Sequence, residues 1–132
     1  AGSCDDVHID AHYPFHAGTL EENLRFAMQD EQSEAEELYP TFAKIAREEG
    51  FAQIALKFEQ VAKVESHHRV IFDYLAEAFK DGSLYSADRP MLWICSECGY
   101  MHTAKEAWNI CPLCGASQGE VQVHLPFAKD SL

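Results

Sequence analysis

The chain has 132 residues, 47% of them hydrophobic, and a formal net charge of −12 when histidine is counted as neutral. This length suffices for one domain, or for a helical unit with a very small second module. The acidic balance argues against nucleic-acid binding through bulk electrostatics. No stretch approaches the roughly 18 apolar residues of a membrane span, and the N-terminus lacks a signal-peptide pattern. A soluble cytoplasmic protein without a membrane or nucleic-acid partner is therefore expected.

Residues 1–18 show no sustained periodicity and are expected to form an irregular lead-in. His8, His12 and His16 are spaced four apart, but Pro14 lies among them. Proline disfavours a helix that would gather these rings on one face, so a solvated linker is expected. Cys4 is expected to be a free surface thiol.

Two long amphipathic segments, at about residues 20–49 and 51–80, predict an antiparallel helical hairpin. Thr19 and Glu22 have the spacing of a capping box, which places the start of the first helix. Gly50 is the expected reversal point, because glycine readily adopts the left-handed conformation that ends a helix.

Both helices carry an apolar stripe with alternating spacings of four and three, the pattern of helices packed in a bundle. Because a lone hairpin cannot bury all of this surface, residues 19–82 are expected to form half of a four-helix bundle. Pro40 should bend the first helix or loosen one of its turns. The stripes consist of Leu24, Met28, Glu31, Ala35, Leu38, Phe42 and Ile45, and of Ile54, Phe58, Val61, Glu65, His68, Phe72, Leu75 and Phe79.

Ionisable side chains interrupt both stripes at one level. Glu31 precedes Gly50 by 19 residues, and Glu65 and His68 follow it by 15 and 18. These offsets correspond to about 28, 23 and 27 Å along the helices. Glu34 lies one turn from Glu31 on nearly the same face. An unpaired carboxylate there costs several kcal/mol, so a bound cation is a better interpretation than stray charges at the edges of the stripes.

Residues 65–68 form a Glu-x-x-His motif on a helix. Ferritin-like di-metal bundles use a Glu from each of two helices and Glu-x-x-His from each of the other two. The hairpin supplies half of such a site, and a two-fold dimer would complete it with Glu31, Glu65 and His68 contributed twice. His67 points away from the stripe and is expected to be a surface residue.

A second module is expected at residues 90–127, after a short linker at residues 83–89. It contains two Cys-x-x-Cys pairs, each followed by glycine, and an alternating segment at residues 120–125 that predicts a closing strand. Four thiolates in a tetrahedron suit zinc or a single iron, and the spacing does not distinguish between them. The pairs are Cys95 with Cys98 and Cys111 with Cys114.

The helical carboxylates and the CxxCGY…CPLCG module together resemble the rubrerythrins over about residues 19–125. The stretches that carry the resemblance are ENLRFAMQDEQSEAEELYP, FAKIAREEGFAQIA, VAKVESHH and the cysteine module. The resemblance implies a mainly α fold, with a ferritin-like four-helix bundle holding a non-haem di-iron centre. It also implies a small rubredoxin-like domain with one iron on four cysteines, where zinc could bind on overexpression.

The resemblance further implies roles for individual residues. Glu31 and Glu34 correspond to the Glu-x-x-Glu ligands of the family's third helix, and Glu65 and His68 to the Glu-x-x-His of its fourth. Tyr39 corresponds to a tyrosine that hydrogen-bonds toward a ligand carboxylate, although a boundary aromatic is an alternative interpretation. Glu34, as the ligand that changes its binding mode, and Tyr39 are the catalytic candidates.

The function implied by the resemblance is a peroxidase that reduces hydrogen peroxide to water and protects against oxidative stress. Its electrons originate from NAD(P)H. They arrive through a reductase or a rubredoxin and then through the iron bound by the four cysteines of the second module. Two alternatives are a ferroxidase or iron-storage protein, and a non-enzymatic zinc-ribbon interaction module.

The chain also departs from the family, because a full rubrerythrin has a preceding helix pair with another Glu and Glu-x-x-His. Two explanations are possible. Either two copies build the bundle as a homodimer or higher oligomer, or the chain is a fragment whose residues 1–18 resemble the connection between the two hairpins.

Overall fold

A computed structural model describes residues 10, 11, 13 and 15–125. The predictions for Cys4, His8 and His12 lie outside the described residues. The described part is mainly helical, and none of its helices is long and apolar enough to cross a membrane. The elements are α1 (Leu20–Ser33), a π-helical turn (Glu34–Leu38), α2 (Tyr39–Glu48), α3 (Ala52–Lys80), β1 (Ser86–Ile94), β2 (Met101–Glu106) and a 3₁₀ turn (Gln118–Glu120).

The predicted capping box starts α1. The Glu22 N–H donates to Thr19 Oγ1 at 3.3 Å, and the Thr19 N–H donates to Glu22 Oε2 at 2.8 Å. Two backbone donors without partners inside the helix are thereby satisfied.

A glycine ends each arm of the hairpin, at Gly50 as predicted and at Gly82 after α3. Gly50 has a φ of 87° and Gly82 a φ of 71°, in the left-handed region that favours glycine. The residue after each glycine donates its N–H five residues back, with Phe51 bonded to the Ala46 carbonyl at 2.7 Å and Ser83 bonded to that of Ala78 at 2.9 Å. This is the pattern of a Schellman C-cap.

The π-helical turn Glu34–Leu38 divides the long first arm into α1 and α2. At its end, the Tyr39 N–H donates to the Glu34 carbonyl, five residues back rather than four. Pro40 has no N–H, so the ordinary helical pattern cannot continue through this point. The expected loosened turn is therefore present, immediately before the proline.

The π turn changes which face of α2 meets α3. Ala43, Ala46 and Ala55 are buried at the contact, whereas Phe42 and Ile45 are 39% and 44% exposed. One extra residue in a helical turn rotates every later side chain by about one position. The buried core between α2 and α3 thus consists of alanines with Phe58 packed against them, and the stripe through Phe42 and Ile45 stays partly open along the hairpin.

Apolar side chains remain exposed along the hairpin. On α3, Ile54 is 46% exposed and Phe79 42% exposed, so both ends of the predicted stripe are open. Patches of this kind mark surfaces that another element covers. The exposed apolar residues of the hairpin are Leu20, Leu38, Phe42, Ile45, Phe51, Ile54, Leu56, Val64, Val70 and Phe79.

The cysteine module is built on an antiparallel ribbon of β1 and β2. Cross-strand partners include Trp93 with His102. Trp93 is 1% exposed, and its indole N–H donates to the Ala104 carbonyl at 3.0 Å. Strand β1 starts at Ser86, before the predicted start of the module at residue 90. Its pairing is irregular around Pro90, which has no N–H to donate.

The predicted closing strand at residues 120–125 is absent. Val121 forms a single bridge with Cys95, and the Gln122 N–H donates to the Ile94 carbonyl at 2.9 Å. Beyond that point the His124 ring Nε2 bonds to the Leu92 carbonyl at 2.9 Å. A side chain thus occupies an acceptor that a backbone ladder would need. Val121 is buried, but burial of one residue does not make a strand.

Candidate metal centres

Glu31 of α1 and Glu65 and His68 of α3 form a compact cluster. One ligand atom from each lies within 4.8 Å of the others. His68 Nδ1 is 2.7 Å from Glu65 Oε2 and 3.4 Å from Glu31 Oε2. The antiparallel hairpin therefore brings these three side chains to one level, as the offsets from Gly50 predicted.

The two carboxyl groups of this cluster oppose each other electrostatically. Burial raises the pKa of Glu31, and the hydrogen bond with the Glu65 carboxyl raises it further, while His68 acts in the opposite direction. The Glu65 and Glu31 side chains are only 13% and 21% exposed. A cation between them would replace the proton and relieve the repulsion.

Glu34 lies outside that three-residue cluster. It is half-buried at the first position of the π turn. Tyr39 follows the turn, and burial raises its pKa, with a further increase from the charges of Glu34, Glu65 and Glu31. The Tyr39 phenol therefore lies within the electrostatic field of the carboxylates, but its expected hydrogen bond to a ligand stays a prediction.

Aromatic rings pack beside Tyr39. Its ring centroid is 6.2 Å from those of Phe42 and Phe58, and the Phe42 and Phe58 centroids are 5.4 Å apart. These rings extend an apolar wall from the carboxylate cluster toward the hairpin turn. Tyr39 thus has features of both interpretations, a boundary aromatic and a residue close to the cluster.

The four cysteines of the second module are arranged as a metal site. Cys95 Sγ is 3.8 Å from Cys114 Sγ, and Cys98 Sγ is 3.7 Å from Cys111 Sγ. All four sulfurs lie within 4.8 Å of one another. A tetrahedron with metal–sulfur bonds of about 2.3 Å has edges of about 3.8 Å, whereas a disulfide needs about 2.05 Å. The sulfur positions therefore fit a metal ion.

Glycine turns shape both thiolate pairs. Gly99 and Gly115 have φ angles of 74° and 78°. The Gly99 N–H donates to the Cys95 carbonyl and the Gly115 N–H to the Cys111 carbonyl, each at 2.9 Å. The left-handed residue lets nearby amides turn toward sulfur, so each Cys-x-x-Cys pair with its glycine forms a metal-binding knuckle.

The thiols differ in acidity. The Tyr100 N–H lowers the pKa of Cys98, but desolvation and the neighbouring thiols outweigh it and raise the pKa to about 12. Desolvation raises the pKa of Cys111, yet the N–H groups of Cys114 and Leu113 lower it to about 7. Metal binding must therefore displace a tightly held proton from Cys98.

The thiolate site has one buried side and one open side. Cys95 and Cys111 are buried, whereas Cys98 and Cys114 are exposed. The open side faces a cleft of about 470 Å³ that Glu97 and Glu120 also line. On another part of the module Tyr100 and Trp108 pack edge to face with centroids 5.2 Å apart.

A contact that sequence reasoning missed joins Ser96 to Glu120. The Ser96 hydroxyl lies 2.8 Å from the Glu120 carbonyl oxygen and 3.1 Å from Glu120 Oε2. Ser96 lies within the first Cys-x-x-Cys motif, but Glu120 is 24 positions away, so no local signal points to the pair.

A ferritin-like helical hairpin with a Glu/His cluster, followed by a four-thiolate module, defines a class of non-haem iron proteins. The family model described as Rubrerythrin matches residues 22–90, and that described as Rubrerythrin, rubredoxin-like domain matches residues 93–120. The chain therefore belongs to the rubrerythrin family. The predicted family, the mainly α ferritin-like fold and the two kinds of iron site are confirmed.

Two curated relatives agree with this assignment. The chain is 43% identical to a rubrerythrin of Porphyromonas gingivalis, over 76% of this chain and 50% of that protein. It is 38% identical to a rubrerythrin of Clostridium perfringens, over 89% of this chain and 60% of that protein. A solved structure of partially reduced nigerythrin aligns with a TM-score of 0.48 and 23% identity, covering 89% of this chain and 55% of that one. The chain spans about half the length of the curated relatives that it matches.

Proposed function

We propose that this chain forms part of a peroxidase that reduces hydrogen peroxide to water and protects the cytoplasm against oxidative stress. Rubrerythrins are generally oxidoreductases, which agrees with this reaction class. The observation that carries the proposal is that one short chain holds both a half-buried Glu/His cluster and a four-thiolate cluster. The first suits chemistry on a small oxidant, and the second suits one-electron transfer.

In this proposal Glu31, Glu65 and His68 hold iron, and Glu34 is a further ligand that can change its binding mode. Carboxylates suit the role because they bridge metal ions and offset a rising metal charge. Glu34 stands at the start of the π turn, where backbone hydrogen bonds are less regular than in an α-helix. Two bound ferrous ions would supply the two electrons that, with two protons, convert one peroxide molecule into two waters.

Tyr39 is the proposed proton-holding residue. A tyrosine phenol is protonated at neutral pH and the pKa of Tyr39 is raised further, so it would be able to donate a hydrogen bond to a ligand carboxylate or to a departing oxygen. The neighbouring rings of Phe42 and Phe58 would limit the access of water to this side of the cluster.

The four-cysteine site is the proposed entry point for electrons. Because Cys98 and Cys114 are exposed, an external donor can approach their sulfurs closely. The donor in this proposal is an NAD(P)H-dependent reductase or a rubredoxin. Each one-electron step at the thiolate-bound iron would return one electron to the helical site.

A second copy of the chain is the proposed partner of the hairpin. One hairpin offers a Glu helix and a Glu-x-x-His helix, which is half of a ferritin-like di-metal ligand set. The hairpin that holds the carboxylate cluster also has apolar side chains that are open to solvent, including Leu38 and Phe42. A two-fold dimer would cover this surface and supply Glu31, Glu65 and His68 a second time.

The test compares Glu65→Ala with Glu37→Ala, a matched variant at an exposed position outside the cluster. After iron reconstitution, NADH consumption with a reductase and peroxide is followed for each protein. Glu65→Ala should lower turnover by about 100-fold or more, while the colour of the thiolate-bound iron persists. Turnover equal to that of Glu37→Ala would refute the site.

Two further measurements separate the alternatives. Faster turnover with dioxygen than with peroxide would indicate a ferroxidase. Metal content combined with native mass tests the partner: two helical irons per pair of chains are expected, beyond the thiolate iron. A monomer without helical iron would contradict the shared site.

A further inference from the structure

Ser96 lies inside the first Cys-x-x-Cys turn and fixes Glu120 next to it. The Ser96 N–H donates to the Glu120 carbonyl at 2.8 Å, and the Ser96 hydroxyl lies 2.8 Å from the same oxygen. The hydroxyl is also 3.1 Å from the carboxylate atom Oε2 of Glu120. Glu120, a residue distant in sequence, is thus bound to the first Cys-x-x-Cys turn through both its backbone carbonyl and its carboxylate.

This contact holds a negative charge beside the open side of the thiolate site. Glu120 lines the same cleft of about 470 Å³ as the exposed sulfurs of Cys98 and Cys114. Glu120 is half-buried, so solvent screens its charge less than that of an exposed residue. Glu97 lines the cleft too, but it is exposed and has no hydrogen bond to another described side chain.

We propose that Glu120, positioned by Ser96, lowers the reduction potential of the iron bound by the four cysteines. The iron–thiolate unit carries one more negative charge when reduced than when oxidised. A fixed carboxylate nearby therefore raises the free energy of the reduced form more than that of the oxidised form. Ser96 is the positioning residue in this proposal. Glu120 acts on the iron through its charge alone and is not a ligand.

The consequence concerns the direction of electron flow. A lower potential makes the thiolate-bound iron a stronger electron donor to any acceptor. It also means that only a sufficiently reducing partner can refill the site. This inference requires iron at the four cysteines but not peroxidase activity, so the two can fail separately.

The main experiment measures the potential of the iron-loaded chain by spectroelectrochemical titration at low ionic strength, where screening is weak. Glu120→Gln removes the charge and keeps the shape of the side chain. At a fixed solution potential the ratio of reduced to oxidised iron should rise by about threefold or more, which is about 28 mV at 59 mV per tenfold change. Glu106→Gln removes one charge at the far end of β2, where Glu106 pairs with Ser86, and should have a much smaller effect.

The role of the tether is tested separately. Ser96→Ala keeps the backbone hydrogen bond to Glu120 but releases the carboxylate, so the potential should rise by less than in Glu120→Gln. Ser96→Thr keeps a hydroxyl at this position, so its reduction potential should equal that of the unmodified chain. Glu97→Gln should shift the potential less than Glu120→Gln, because the Glu97 side chain is exposed.

Two outcomes would overturn the proposal. One is a shift in Glu120→Gln no larger than that in Glu106→Gln, and the other is an unchanged potential in Ser96→Ala. If Ser96→Ala fails to hold iron, Glu120→Lys decides, since reversing the charge should shift the potential further than neutralising it. The ferric-thiolate absorbance of each variant verifies that the site itself is intact.

Discussion

The helical hairpin and the cysteine module both bring metal-binding side chains together, but they differ in how much of the ligand set one chain supplies. Each must hold like-charged metal-binding groups together. The module contains a full tetrahedral ligand set, with glycine turns and a buried tryptophan around it. The hairpin contains a cluster of three such groups, half of the set that the proposed di-metal site requires, and its buried contact is made of alanines with Phe58 packed against them. A ligand set that is local in sequence can be closed by one chain, whereas a set spread over helices needs further helices.

The largest expected effect comes from removing the metal from the four cysteines. Structural metal sites of this kind contribute an apparent binding free energy of about 10–16 kcal/mol. Because Trp93 is buried in the same small module as the four cysteines, a chelator should expose it and shift its fluorescence. The hairpin should keep its helical circular dichroism, because its caps and alanine contacts do not involve the module. Simultaneous loss of both signals would contradict the contrast between the two regions.

The pH dependence of metal binding follows from the same site. In the metal-free chain Cys98 holds its proton up to a pH of about 12. Since metal binding displaces this proton, affinity should rise as the pH rises from 6 to 8 and fall on acidification. A competition titration with a colorimetric chelator measures this trend directly.

A smaller effect is expected from overfilling the hairpin contact. Ala55 is 0% exposed against Ala43 and Ala46, so Ala55→Leu should destabilise the hairpin by about 1–3 kcal/mol. The matched control is Ala52→Leu, at an exposed position in the first turn of α3. Urea unfolding followed by circular dichroism at 222 nm compares the two. Equal stability of both variants would mean that α2 and α3 do not pack through these alanines.

The smallest effect concerns the ion pair that joins α1 and α3. The Arg25 guanidinium donates to Glu77 at 2.9 Å and lowers the pKa of that carboxyl. A lowered folded-state pKa contributes stability that is present above the ordinary value of 4.5 and is lost as the pH falls through the lowered value. Glu77→Gln should therefore flatten the acid limb of the stability profile slightly. Because the pair is exposed, high salt should screen it, and the stability profiles of Glu77→Gln and the unmodified chain should then coincide at acid pH.

Local patterns were sufficient for much of the fold. The capping box at Thr19, the glycine caps at Gly50 and Gly82, and the paired knuckles all depend on residues within a few positions of one another. The level shared by Glu31, Glu65 and His68 was also predictable, because helix rise and a single reversal point fix it. These features agree with the structure because chain geometry alone imposes them.

Other features depended on competition between distant groups. Pro40 indicated an irregular turn, but not that the turn would be a π turn or that alanines would form the buried part of the α2–α3 contact. The alternation at residues 120–125 indicated a strand, whereas His124 takes an acceptor that the ladder would need. Such outcomes depend on which of several competing side chains or backbone groups fills a packing position or pairs with a hydrogen-bond acceptor.

The sequence by itself determined the chemical nature of both sites, because ligand type and spacing are written in short segments that fold locally. It also determined where the two arms of the hairpin start and stop. Only the tertiary structure decided which helix faces meet, how far Glu34 and Tyr39 lie from the carboxylate cluster, and that Ser96 binds Glu120. These depend on packing and on hydrogen bonds between segments far apart in the chain, where small rotations change which side chains come into contact.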